Sequence, residues 1–166
     1  MVLDAKAGSA SAMTGSSAAN FANVNGLLYF SADDGVNGLE LWRSDGTAAG
    51  TVMASDVNVG SFSASPTQLT VVDGTLYFVA AGAQGSELWK IDAATGPPTL
   101  AADIFPRADG SFPSRLAGTD DQLFFTANDG VHGAELWVAD DLGVRLVKDV
   151  RPGVASSSIS GIAAFG

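Results

Sequence analysis

The sequence contains no cysteine, which excludes a disulfide framework, a thiolate nucleophile and a cysteine-held zinc site. Positive charge is scarce. Eight Lys and Arg against 18 Asp and Glu leave a net charge of −10, and no basic cluster forms between Lys6 and Arg151. Phosphate backbones and anionic membrane surfaces attract the opposite sign, so nucleic acid is not an expected partner. A divalent cation or a cationic partner suits the charge better. No apolar run approaches the roughly 20 residues that cross a bilayer, so no membrane span is expected. The first residues, Met1-Val2-Leu3-Asp4-Ala5-Lys6, lack the apolar centre of a secretion signal. On that ground alone the chain reads either as cytoplasmic or as a mature or excised piece. Catalytic constellations are missing too. His132 is the sole histidine, and no Gly-x-Ser-x-Gly elbow, phosphate loop or dinucleotide fingerprint accompanies it. The expectation is a protein that is not an enzyme.

What the chain does have is apolar content and glycine. With 166 residues, 46% of them hydrophobic, it is long enough to bury one sizeable core. Twenty glycines argue against helices, because each costs a helix interior about 1 kcal/mol relative to Ala. An all-β fold follows.

The chain also repeats itself. Glu40-Leu41-Trp42, Glu87-Leu88-Trp89 and Glu135-Leu136-Trp137 recur at a period of roughly 47 residues. Ahead of them lie the aromatic strands Leu27-Leu28-Tyr29-Phe30, Thr75-Leu76-Tyr77-Phe78 and Gln122-Leu123-Phe124-Phe125. Behind them run strands that reach Asp56, Asp103 and Asp149. One unit therefore has four short strands. Its first is closed by a hairpin dipeptide such as Asp73-Gly74, and its fourth is followed by a Gly, Ser and Pro crossover such as 60–66. Four strands and a crossover make the layout of a propeller blade, in which both sheet faces pack on neighbours.

Glu40-Leu41-Trp42-Arg43-Ser44-Asp45-Gly46-Thr47, with Gly50-Thr51 after it, resembles the bacterial ELWxxDGT repeat, also called hyalin-like. Val147-Lys148-Asp149-Val150-Arg151-Pro152-Gly153 resembles the other hallmark of that family. The resemblance implies β-propeller blades in an extracellular or cell-surface protein, with no general activity attached. It divides the chain into 1–19, a partial preceding repeat and linker; 20–63, 64–111 and 112–156, three blades; and 157–166, the first strand of a further blade. Val2 to Gly8 matches the tail of a fourth strand. A propeller needs at least about four blades, so three make an incomplete ring. Either the chain belongs to a longer array or it closes a ring by self-association, two chains giving six blades.

A catalytic group is needed once, whereas a residue present in every copy serves the fold. By that test Trp42, Trp89 and Trp137 are expected to wedge between blades; the other reading is a sugar-stacking platform. Glu40, Glu87 and Glu135 are expected to accept backbone N–H groups from the preceding Gly-rich turn. A cation-binding carboxylate ring is the alternative. Asp33, Asp34 and Asn37, with Asn128, Asp129 and His132 in the third copy, form oxygen-rich loops that suit calcium but also make ordinary turns. The second copy has Ala81, Gly82 and Gln84 there and lacks the carboxylates. Asp56, Asp103 and Asp149 are expected to cap turns; the other reading is a rim of the ring that binds metal or a cationic partner. The functional expectation is a non-enzymatic scaffold for protein interaction or a cell surface, with no cofactor. Against it stand a repeat lectin or calcium-dependent carbohydrate binder with one weak site per blade, and an enzyme whose active site lies in further sequence.

Overall fold

The computed structural model describes residues 20–92 and 96–163. Among these residues there is no α-helix, hence none long and apolar enough to cross a membrane. Twelve strands follow one another: β1 (Phe21–Val24), β2 (Leu27–Asp33), β3 (Leu39–Ser44), β4 (Val52–Ser55), β5 (Thr67–Val72), β6 (Thr75–Gly82), β7 (Gly85–Ile91), β8 (Thr99–Ala102), β9 (Ser114–Gly118), β10 (Leu123–Asn128), β11 (Ala134–Asp140) and β12 (Gly143–Lys148). They form three four-stranded antiparallel sheets, β1 to β4, β5 to β8 and β9 to β12, with the strands of each in chain order. The all-β class and the three four-stranded units are as expected from the repeat.

Local chemistry explains the meanders. Asn25-Gly26 and Asp73-Gly74 both hold two successive positive φ angles, 50° and 87° in the first and 44° and 71° in the second. Such pairs match the right-handed twist of a two-residue hairpin. In the third sheet Thr119 closes the same connection with its side chain, its hydroxyl accepting from the Gln122 amide at 3.2 Å. In the centre of each sheet the aromatic strand pairs with the Trp strand in one register: Phe30 opposite Trp42, Phe78 opposite Trp89, Phe125 opposite Trp137. All three sheets also shift register toward their fourth strand at the Leu-Trp step.

The sheets are stacked. β1 packs against β5, β5 against β9, and β8 meets β12. Two apolar layers result. Tyr29 and Leu41 of the first sheet meet Leu69, Leu76 and Phe78 of the second. Tyr77 and Leu88 of the second meet Leu123, Phe125 and Ala139 of the third. The same face of one unit thus meets the opposite face of the next, twice over. Burial of these layers is the main stabilising term, at about 25 cal/mol per Å² of apolar surface.

Two expectations about the ends stand apart. The described part of 157–166, Ser157 to Ala163, is not in a strand. A first strand is defined by the hairpin partner that follows it, and none is present in the described residues. The match of Val2 to Gly8 to a fourth strand falls outside the described residues.

Candidate docking site at the glutamate latches

Glu40, Glu87 and Glu135 are all fully buried. Their partners are not the ones the sequence suggested. The carboxylate of Glu40 accepts the Val57 amide at 3.0 Å and the Ala64 amide at 2.8 Å. That of Glu87 accepts the Ile104 amide at 3.4 Å, the Ser111 amide at 2.7 Å and the Ser111 hydroxyl at 2.5 Å. These donors lie in the crossover after the fourth strand, 17 and 24 residues downstream, and not in the preceding turn. The crossover is where amides go unpaired by any ladder, so the buried carboxylate is satisfied there. Each Glu latches the crossover to its own sheet. Burial raises the carboxyl of Glu40 and of Glu87 above the ordinary range, and the amide donors pull partly back.

The latch residue is held from its other side as well. Ala64, whose N–H reaches Glu40, accepts the Ala81 amide of β6 on its carbonyl at 2.8 Å. Ser111, whose N–H reaches Glu87, accepts the Asn128 amide of β10 at 3.0 Å. One peptide segment therefore joins the Glu of one sheet to the second strand of the next. The residue just after it takes a positive φ, 50° at Ser65 and 50° at Phe112. Its amide then bonds the residue before the Glu: Ser65 to the Leu39 carbonyl at 3.0 Å, Phe112 to the Ser86 carbonyl at 3.1 Å.

The third latch is different. Ser158 has the matching φ of 56°, which makes Ser157 the counterpart of Ala64 and Ser111. The Ser156 hydroxyl accepts the Ala134 amide at 3.0 Å, as the Ser63 hydroxyl accepts the Leu39 amide at 2.9 Å. Yet the Ser157 amide donates to the Ala134 carbonyl at 3.2 Å, one residue out of step. Glu135 keeps a single bond, from the Val150 amide at 3.2 Å, and its Oε1 is buried without a partner.

The tryptophans pack into the stack, Trp42 buried and Trp89 and Trp137 partly buried. Trp89 packs on the layer between the first and second sheets and donates its Nε1–H to the Ala80 carbonyl at 3.2 Å. Trp137 does the same one layer on, with the Ala127 carbonyl at 3.1 Å. Trp42 is buried, but its Nε1 has no acceptor. The acidic loop oxygens are engaged locally. Asp34 Oδ1 accepts the amides of Val36 and Asn37, and its Oδ2 accepts the Asn37 side-chain amide at 2.7 Å. Asn128 accepts from the Gly130 amide, and Asp33 from the Gly35 amide. Asp129 repeats the arrangement, holding Val131, His132 and the His132 ring at 2.7 Å. That hydrogen bond raises the His132 pKa above its ordinary value. Asp56 caps its own turn through the Gly60 amide at 3.1 Å. Among the described residues, no three His, Asp or Glu side chains gather as a metal-holding group. A cleft of about 300 Å³ at one rim of the second and third sheets is lined by Asp73, Asp92, Asp121, Asp140 and Asp141 around Lys90. Lys90 is paired with Asp92 at 2.8 Å.

Sequence reading missed one member of the repeat signature. Gly38, Gly85 and Gly133 each stand two residues before the Glu, with φ of 74°, 84° and 69°. A Cβ there would collide with crossover backbone, at Phe62, Gly110 and Ser156 respectively. Close approach of the crossover requires glycine at that position. The signal was present in the three copies, which all read Gly-x-Glu-Leu-Trp. Compared with known proteins, the chain matches no family model and no curated protein.

Proposed function

We propose that this chain is a set of β-propeller blades of the ELWxxDGT type, acting as a non-enzymatic interaction scaffold that takes further repeats at its two end sheets. One observation carries the reading: among the described residues, the stacking contact made twice inside the chain is not continued beyond the first and third sheets. Leu28 is 41% exposed, whereas its counterparts Leu76 and Leu123 are 0% exposed. Phe21 is 36% exposed against 8% for Leu69. On the opposite face, Leu41 and Leu88 are fully buried while Leu136 is half-buried. Unpaired apolar sheet faces of this kind mark association surfaces. The two faces differ, so association runs head to tail. It gives either a longer array within one polypeptide or a ring of several chains.

A repeat lectin or calcium-dependent binder is the less favoured reading. Two of the three Trp rings are tied to their own sheets, and the Asp34 and Asp129 oxygens hold their own loops. A surface or extracellular location goes with the family resemblance.

The test is to lengthen the array. A chain in which a copy of residues 65–111 follows Ser157 adds one repeat in phase. Stacking predicts a higher urea midpoint and a steeper transition for it, because each repeat gains a neighbour. No gain in midpoint would overturn the reading. Glycan-array binding that is abolished by a chelator, or by Trp89→Ala in a folded protein, would favour the lectin instead.

A further inference from the structure

We propose that the Leu136 face of the third sheet is the docking site for a fourth sheet of the same repeat, and that Glu135 is the half-open latch which its arrival closes. The inference rests on the stacked-blade reading and adds the atoms that couple one repeat to the next.

In the first two latches one residue is held from both directions. Its N–H goes back to the Glu of its own sheet, and its C=O takes an amide from the second strand of the following sheet. The second bond needs the following sheet. In the third latch that sheet is missing among the described residues, and the Ser157 amide has slipped onto the Ala134 carbonyl. The cost is visible at Glu135 Oε1, a fully buried oxygen with no partner. An unsatisfied buried acceptor is destabilising, the more so when charged, so the slipped arrangement is not the relaxed one.

The occupant follows from continuity with the two internal interfaces. Tyr29 with Leu41, and Tyr77 with Leu88, each meet a Leu and a Phe from the aromatic strand of the next unit: Leu76 with Phe78, then Leu123 with Phe125. Phe124 and Leu136 are the third instance of that face, and both are only half-buried. They call for a Leu-x-Phe strand in the same place. Residues 158–163 already lead there. Ser158 has the φ of Ser65 and Phe112, and Ile162 is the counterpart of Leu69 and Leu116, each of which packs on the preceding sheet. Seating the fourth sheet supplies the amide that captures the Ser157 carbonyl, turns the peptide, and delivers its N–H to Glu135 Oε1. Lys148 stands opposite Leu136, where Ser55 and Ala102 stand opposite Leu41 and Leu88, so its long side chain has to carry its charge to the rim as the fourth sheet seats.

The experiment compares the chain with its lengthened form, in which residues 65–111 follow Ser157. Amide exchange of Ser157, read by NMR, is expected to slow by at least about tenfold on lengthening, as a partly open bond becomes part of a cooperative unit. Glu135→Ala is expected to move the urea midpoint little in the parent chain, and as much as Glu87→Ala does in the lengthened one. Should Glu135→Ala fail to fold, Glu135→Gln and the Ser157 exchange rates decide. If the lengthened chain is more stable yet Ser157 exchange and the Glu135 effect are unchanged, the latch proposal is overturned while stacking stands. If the parent chain already protects Ser157 through self-association, with a mass of twice 16.8 kDa by light scattering, the occupant is a second copy and the proposal is overturned in that respect.

Discussion

Glu87 and Glu135 occupy the same position in consecutive units and are equally buried, yet one accepts three hydrogen bonds and the other one. Nothing in their own strands accounts for this, since both sit in a Gly-x-Glu-Leu-Trp segment with the same register to the aromatic strand. The difference lies beyond the crossover: a sheet follows Glu87, and none follows Glu135 in the described residues. On the latch proposal, the glutamate of the Glu-Leu-Trp segment reports whether its neighbouring repeat is in place.

The largest expected effect tests that contrast directly. Glu87→Ala leaves the Ser111 and Ile104 amides without acceptors inside the stack, and should cost about 3 to 5 kcal/mol, since each stranded buried donor costs about 1 to 3 kcal/mol. Glu40→Ala, with two amide donors released, should cost somewhat less, and Glu135→Ala about 1 kcal/mol. Urea unfolding of the three variants gives the order. Equal losses at all three sites would break the comparison.

The open and closed faces offer the next contrast. Leu76→Ala empties a fully buried site and should cost about 2 to 5 kcal/mol. Leu28→Ala, at the equivalent position of the first sheet, should stay within about 0.5 kcal/mol, as for an exposed residue. Thermal unfolding at low protein concentration checks both. A large loss at Leu28 would mean that its face is covered in solution. Gly85→Ala comes third, at about 1 to 3 kcal/mol, because it combines a left-handed φ with collision against Gly110. Gly74→Ala has the strained φ without the collision and should cost less.

Much of this was legible in the sequence. The Trp period, the aromatic strands and the Asn-Gly and Asp-Gly turns fix the number of sheets and their strand order, because these signals are local. The glutamates were legible as groups needing donors, but the donors were misplaced. Ala64, Val57 and Ile104 act through their amides, which every residue but proline carries, so their identity leaves no mark at the position concerned. Gly38, Gly85 and Gly133 could have corrected the reading, since a glycine kept in three copies beside a buried Glu marks a backbone passing close by. The slip at Ser157 was not legible at all. It depends on which sheet is present next, not on the residues that slip.

The smallest effect sets two carboxylates against each other in pH. Glu87 has its pKa raised by burial, so its contribution to stability is fully present below the ordinary 4.5 and is lost as pH rises through its folded value. Asp140 goes the other way. The Arg145 guanidinium grips it at 2.6 and 2.7 Å, with help from the Leu142 amide and the Gln122 side chain, and holds its pKa at about 2. Its contribution is present above the ordinary 3.8 and is lost as pH falls toward about 2. The expected NMR titration therefore separates the two widely, with Glu87 above 4.5 and Asp140 near 2. Arg145→Ala should return Asp140 toward 3.8 and leave Glu87 where it was, at a modest cost in stability at neutral pH, because Arg145 is exposed and the enclosed Asp140 keeps the Leu142 amide and the Gln122 side chain. If Arg145→Ala moved the Glu87 titration as well, the rim and the latch would be coupled, and the carboxylate at the latch would no longer report on its neighbouring sheet alone.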